Sequence, residues 1–261
     1  MNVIVCLKQV PGTTEVKIDP QTNTLVRQGI ESIINPFDTY AIEEAVRTKE
    51  KHGGKVTVIT MGPPQAEAAL REAISLGADE AVLLSDRAFA GADTWATAFT
   101  LSRAVVKLGQ YDLIICGRQT IDGDTGQVGP ELAEMLGIPF IAYVSQVEEI
   151  KDGKLRARRM VEEGHEVIEA GLPALITVSK EINIPRLPSL RGITRSRSAK
   201  ITVWGVADLG VEPANVGLSG SSTQVIKIFF PQSVCQAEII TGTPESQVEK
   251  LLEKLKGTNL V

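Results

Sequence analysis

The chain has 261 residues, enough for one large α/β domain with an appendage and an ample core, and its net charge of −5 argues against a general nucleic-acid binder. No apolar run approaches the ~20 residues needed to span a bilayer, and the first residues lack a signal peptide's basic region. Cys6, Cys116 and Cys235 stand apart with no C-x-x-C, which points away from zinc and iron–sulfur clusters and towards a reduced, cytoplasmic protein.

Asn2 to Leu7 is an apolar run that reads as a first parallel strand. From Lys8 to Ile34, Pro11-Gly12 and the alternation at Val16–Ile18 and Thr24–Val26 suggest a hairpin excursion. Asn35-Pro36-Phe37-Asp38 then starts a helix, with Asp38 as its expected N-cap. Ala41, Ile42, Ala45 and Val46 form its apolar stripe, and Gly53-Gly54 ends it. Val56 to Met61 is the next strand. Gly62-Pro63-Pro64 launches a helix with Ala66, Ala69, Leu70, Ala73 and Ile74 on one face, closed by Gly77. A strand at Glu80 to Leu84 and a loop at Ser85 to Ala92 follow. Asp93 or Thr94 caps a long helix in which Trp95, Ala98, Phe99, Ser102 and Val106 line one side, ended by Gly109.

The stretch from Tyr111 to Gly137 organises the rest. Leu113 to Cys116 reads as a strand buried on both faces. A glycine-punctuated loop follows, from Gly117 to Gly126, and then a helix over Glu131 to Leu136, stopped by Gly137 and Pro139. Strand, glycine loop and helix together aim backbone N–H groups and a helix dipole at an anion. The spacing matches neither G-x-G-x-x-G nor G-x-x-x-x-G-K-[ST]. An ordinary surface turn would also carry such glycines. The density of hydrogen-bonding side chains favours a ligand: Arg118, Gln119, Thr120, Asp122, Asp124, Thr125 and Gln127. Two aspartates beside a phosphate need other work, so Asp124 or Thr125 is expected to cap the helix and Asp122 to accept from ribose or ribityl hydroxyls. Strand and helix alternate from residue 2 to 137, which makes a mostly parallel sheet wrapped by helices. Cys6, Met61 and Gly117 lie at the carboxyl ends of their strands and converge on one crevice.

Beyond Pro139 the elements are shorter and β-like: Phe140 to Val147, Leu155 to Val161 after an Asp152-Gly153 turn, Glu166 to Glu169, and the buried run Ala174 to Val178. Antiparallel additions to the sheet are expected here. His52 falls at a helix end and His165 in a turn, neither with a second ligand nearby, so no metal is expected. Ile182 to Ile193 is apolar but broken by Pro185, Pro188 and Gly192, and suits either a packed connection or an exposed partner loop. Arg191, Arg195, Arg197 and Lys200 form a basic stripe, a solvated helix face or a guide to an acidic partner. The expected organisation is a nucleotide-binding domain over 1–207, a Gly- and Ser-rich linker over 208–223 and a docking arm over 224–261. The arm has a strand at Val225 to Phe230 and a helix at Glu245 to Leu255, too little for its own core.

GRQTIDGDTGQVGPELAE at Gly117 to Glu134, NPFD at Asn35, MGP at Met61, VCLKQVP at Val5 and EINIPRLPSLRGI at Glu181 occur in an order that resembles the beta subunit of electron-transferring flavoproteins over nearly the whole chain. The resemblance implies a Rossmann-like α/β fold whose arm embraces an alpha subunit carrying its own FAD. It places a nucleotide against Cys6, Asn35, Pro36, Phe37, Asp38, Met61, Gly117 and Arg118. It adds the run Asp122, Gly123, Asp124, Thr125, Gly126, Gln127, Val128, Gly129, Pro130, Glu131, Leu132 and Ala133. Asn35 and Asp38 are expected to bond adenine or ribose edges, and Arg118 to help stabilise an anionic flavin ring. Leu190 falls where related proteins anchor a partner dehydrogenase. GDTGQVGPELAE resembles the electron-bifurcating branch, which implies a bound FAD, NADH as electron donor, an acyl-CoA type dehydrogenase and a ferredoxin or flavodoxin as acceptors. The alternatives are a subunit that binds structural AMP, with redox chemistry confined to the partner's flavin, and an unpaired nucleotide-binding module. No nucleophile–base–orienter set is visible for stand-alone hydrolysis.

Overall fold

The computed structural model describes residues 1–12, 17–18, 25–26, 32–226 and 237–257, in two units, Met1–Ile226 and Lys227–Val261. The first unit begins with β1 (Asn2–Cys6), β2 (Gln9–Pro11), β3 (Lys17–Ile18), β4 (Leu25–Val26) and β5 (Ser32–Ile34). Alternating elements follow: α1 (Pro36–His52), β6 (Lys55–Met61), α2 (Glu67–Leu76), β7 (Glu80–Leu84), α3 (Thr94–Leu108), β8 (Leu113–Gly117) and α4 (Val128–Leu136). Then come β9 (Phe140–Lys151), β10 (Lys154–Val161), β11 (Gly164–Gly171), β12 (Ala174–Val178), α5 (Leu190–Ser198), β13 (Thr202–Trp204) and α6 (Val206–Leu209).

One nine-stranded sheet runs in the order β11-β10-β9-β12-β8-β1-β6-β7-β13. Its pairs from β9 to β13 are all parallel, and the antiparallel additions are β10 and β11. Val3, Val5, Leu113 and Ile115 pack towards α1 and α2. Ile4, Cys6, Ile114 and Cys116 pack towards α3 and α4. Alternate residues of one strand therefore feed opposite helix layers, which is why β1 and β8 read as unbroken apolar runs. Each fully buried aliphatic side chain contributes ~1.5–3 kcal/mol of transfer free energy.

The chain leaves β1 through α1 towards β6 and β7, then returns through α3 to β8 on the other side of β1. The strand order thus reverses between β1 and β8, and the crevice beyond their carboxyl ends is where open α/β sheets take ligands.

Several elements differ from expectation. Asn35, not Asp38, is the N-cap of α1. In α3, Trp95 and Val106 are at least half exposed, whereas Ala98, Leu101, Ala104 and Val105 carry the burial. β9 runs on to Lys151, and the tight turn after it needs positive φ at Asp152 and Gly153, an Asp-Gly hairpin. His165 lies in β11 and not in a turn, and β13 adds an unexpected parallel edge beside β7. α5 starts at Leu190 because the Ser189 hydroxyl accepts the Gly192 N–H at 3.0 Å; any Cβ at Gly192 would overlap the Ser75 carbonyl at the end of α2. The segment read as a linker carries buried Val216, and its Leu218 N–H donates to Ala90 O at 2.9 Å. The expected hairpin is represented by antiparallel β3 and β4; Val16 and Thr24 lie outside the described residues, as do Cys235 and most of the Val225–Phe230 strand. In the second unit α7 (Pro244–Gly257) leaves Val248, Leu251 and Leu252 about half exposed. No helix among the described residues is long and apolar enough to cross a membrane.

Candidate functional site

A cavity of about 770 Å³ opens at the β1–β8 reversal. Its floor is Cys6, Cys116 and Gly117. One wall is the loop from Arg118 to Gly129, and the opposite wall runs from Asp86 to Thr94 and on to Thr97 and Leu101. Of the residues anticipated from sequence, Cys6, Asp38, Met61, Gly117, Arg118, Asp122, Gly123, Thr125, Gly126, Gln127, Val128 and Gly129 line it. Asn35, Pro36, Phe37, Asp124, Pro130, Glu131, Leu132 and Ala133 do not.

Those eight support the wall from behind or beside it. Asn35 is fully buried; its amide donates to Gln119 O at 2.9 Å and accepts the Ile121 N–H at 3.2 Å. Both bonds hold the Gln119–Ile121 segment of the loop in place. Phe37 and Tyr143 present their rings to the Arg118 guanidinium at 5.7 and 5.2 Å, a cation–π clamp. Leu132 and Ala133 are core residues of α4. Asp124 adopts φ +53° and accepts from the Gln119 side chain. α4 starts later than either proposed cap would allow: its N-cap is Gln127, without a side-chain cap bond, so neither Asp124 nor Thr125 performs that role.

Every carboxylate in the cavity wall already has a partner. Lys8 Nζ lies 2.8 Å from both oxygens of Asp122. Asp38 accepts the Lys8 N–H at 2.7 Å; burial pushes its pKa up to about 7, against the pull of that bond. Asp86 accepts the Ala88 and Val206 N–H groups, and Asp93 accepts those of Ala96 and Thr223.

Lys8 is paired, whereas Arg118, among the described residues, donates only its Nε–H, to Gln119 Oε1 at 2.7 Å. Arg118 has no ion-pair partner among the described residues. The N–H groups of Val128 and Gly129, in the first turn of α4, have no intrahelical acceptor by construction, and none elsewhere among the described residues. Backbone approach is close here. A Cβ on Gly129 would sit 2.5 Å from Thr177 Cγ2, and one on Gly117 would collide with Asp38 and with the Phe37 carbonyl carbon at 2.8 Å. One oxygen of Glu131 accepts from the Thr94 hydroxyl at 3.0 Å, while the other is buried without a partner. Orphaned amides, a guanidinium without an ion-pair partner and carboxylates already engaged in hydrogen bonds fit a phosphorylated ligand with hydroxyls.

Sequence reasoning missed Lys8, which lies 114 residues from Asp122, and the Asp86–Thr94 wall, which has no motif. The proline-broken loop is exposed and not a packed connection: Ile184, Leu187 and Leu190 are 83%, 88% and 86% exposed. Behind it, Arg186 grips Glu43 and Glu50 of α1. All four residues of the basic stripe are exposed, and Arg195 alone among them also donates to Ile74 O and Ala78 O.

The electron transfer flavoprotein domain model matches residues 22–209. The chain is 52% identical to the electron transfer flavoprotein subunit beta of Thermoanaerobacterium thermosaccharolyticum, over the whole of both chains. It is 48% identical to the caffeyl-CoA reductase-Etf complex subunit CarD of Acetobacterium woodii, again over the whole of both. Against protein FixA of Azotobacter vinelandii it is 43% identical, over 98% of this chain and 94% of that one.

Proposed function

The chain belongs to the electron transfer flavoprotein family as a beta subunit, and from that premise we propose that it binds FAD in the β1–β8 crevice and takes electrons from NADH. It passes them on to a flavin-dependent dehydrogenase, of the acyl-CoA type, and to a ferredoxin or flavodoxin. The observation that carries the reading is electrostatic: the crevice presents open amides and Arg118 to an anion, while its carboxylates are already bound.

In this reading the Val128 and Gly129 N–H groups hold the pyrophosphate at the α4 N-terminus. Gly117 and Gly126 keep the loop thin enough for backbone contact, and Asn35 fixes its position. Lys8 cancels the charge of Asp122 next to the phosphates. Arg118, held between two rings, brings a fixed positive charge to the cavity. When bound, the flavin supplies the hydride-accepting and electron-passing chemistry; the protein sets its position and environment. The size of the cavity and the low bulk at Gly123 and Gly126 favour FAD over the AMP alternative. The exposed Val248, Leu251 and Leu252 stripe of α7 is assigned to the alpha subunit, and the Ile184–Leu190 loop to the dehydrogenase. The resemblance to CarD, a subunit of a caffeyl-CoA reductase-Etf complex, supports an acyl-CoA type enzyme as the partner.

The test is an anaerobic NADH titration of the purified heterodimer, followed by flavin absorbance. Direct bleaching supports the proposal. A flavin spectrum that NADH leaves unchanged, but that a reduced dehydrogenase bleaches, supports the AMP alternative.

A further inference from the structure

The cavity floor holds a pair of thiols for which nucleotide binding has no evident use. Cys6 and Cys116 are in-register partners on the adjacent strands β1 and β8. Both point to the α3–α4 layer, both line the cavity, and both are free thiols. A single buried cysteine is ordinarily a small hydrophobe. Two of them side by side, 8% and 6% exposed at the bottom of an open crevice, have a further chemistry available. Neighbouring strands lie ~4.8 Å apart, within the ~4.4–6.8 Å Cα separation that a disulfide spans. In-register pairing with both side chains on one face of the sheet sets the two thiols side by side, and the Cys6 thiol, ahead of burial, pushes the Cys116 thiol up.

We infer that Cys6 and Cys116 form a redox couple, in which a peroxide entering the crevice converts the dithiol into a Cys6–Cys116 disulfide that pins β1 to β8 beneath the ligand. Cys6 attacks one peroxide oxygen, the O–O bond breaks, and one water leaves with the formation of a sulfenic acid on Cys6. The Cys116 sulfur then attacks the Cys6 sulfur, the S–O bond breaks and a second water leaves. Two thiols lose two electrons and two protons, and one hydrogen peroxide is reduced to two waters. A ligand lying over the floor shields both sulfurs. That protection rests on the nucleotide reading of the cavity; the bridge itself does not.

The experiment uses the Cys235→Ser chain in complex with its alpha subunit, stripped of nucleotide and treated with hydrogen peroxide. Non-reducing peptide mass spectrometry is expected to find the Cys6 and Cys116 peptides joined, with a loss of two hydrogens that dithiothreitol reverses. The Cys6→Ala variant should form no bridge and keep an alkylatable Cys116. Both thiols still alkylatable after peroxide, or only a sulfinic or sulfonic acid on one of them, overturns the inference. Saturating FAD or AMP is expected to slow bridging. A bridge that forms equally fast with nucleotide present leaves the redox couple standing and overturns the placement of the nucleotide above it.

Discussion

Replacing Arg186 by alanine tests how the exposed apolar loop is held. Glu43, on α1, is 4% exposed and accepts from Arg186 through the backbone N–H at 3.1 Å and through Nε at 2.7 Å. The second Glu43 oxygen keeps Arg47 Nε at 2.5 Å whatever happens at residue 186. Orphaning a buried charge costs ~3–5 kcal/mol. Because Arg47 and the residue-186 N–H remain, the loss is that of the Nε bond and the longer Nη2 bond at 3.3 Å, nearer ~1.5–3 kcal/mol. Glu50, 54% exposed, adds no more than ~1 kcal/mol. Glu43 also fixes a pH signature. Burial is the largest influence and pushes its pKa up, yet the bonds from Arg186 and Arg47 outweigh it and hold it below the ordinary 4.5. Its contribution is therefore present above pH 4.5 and lost as pH falls through the lower folded value. The Arg186→Ala deficit should be largest at neutral pH and shrink in acid. Urea unfolding gives the deficit, and hydrogen exchange over residues 184–190 shows whether the loop loosens. An unchanged midpoint together with unchanged exchange would mean that the clamp contributes nothing and that Asn183, bonded to Tyr40 O and Glu44, positions the loop alone.

Three further outcomes follow from the same geometry. Asp38, with its pKa raised by burial from 3.8 to about 7, favours the folded state most below pH 3.8 and loses that advantage as pH rises to about 7. At ~1.4 kcal/mol per unit this amounts to about 4 kcal/mol, and Asp38→Asn should flatten the pH dependence of urea unfolding across that window. Gly126 sits at φ +64°, so Gly126→Val carries ~1–2 kcal/mol of backbone strain and displaces the anion cradle; full nucleotide content and unchanged affinity by calorimetry would move the site elsewhere. Leu190→Ala should slow electron delivery to the dehydrogenase, with a binding loss of about 2 kcal/mol or more if Leu190 is an anchor, while flavin content and NADH reduction stay intact; unaltered transfer would make the loop only a connection.

The parallel core was legible because β1, β6, β7, β8 and β12 are buried on both faces and their apolar runs have no competing interpretation. The loop at Gly117–Gly126 was legible from its glycines and polar density. What sequence left out depends on tertiary pairing. Lys8 has no local signal, since its role exists only once β1 brings it to Asp122. The Asp86–Thr94 wall is an ordinary loop until the return through α3 sets it beside the crevice. The first residues of α5, Leu190 to Ile193, looked like loop because Gly192 follows two prolines. There glycine is required by the close approach to the Ser75 carbonyl, and Ser189 supplies the cap. The cap expected at Asp124 or Thr125 failed because α4 begins later, with Gln127 at the N-cap and no side-chain cap bond.

The nucleotide composition of the heterodimer tests the central claim most directly. The complex is denatured as purified, without added cofactor, and the released nucleotides are separated and quantified against protein. A flavin from each subunit, with no AMP, is the predicted result; flavin from the alpha subunit alone, accompanied by equimolar AMP, would contradict it.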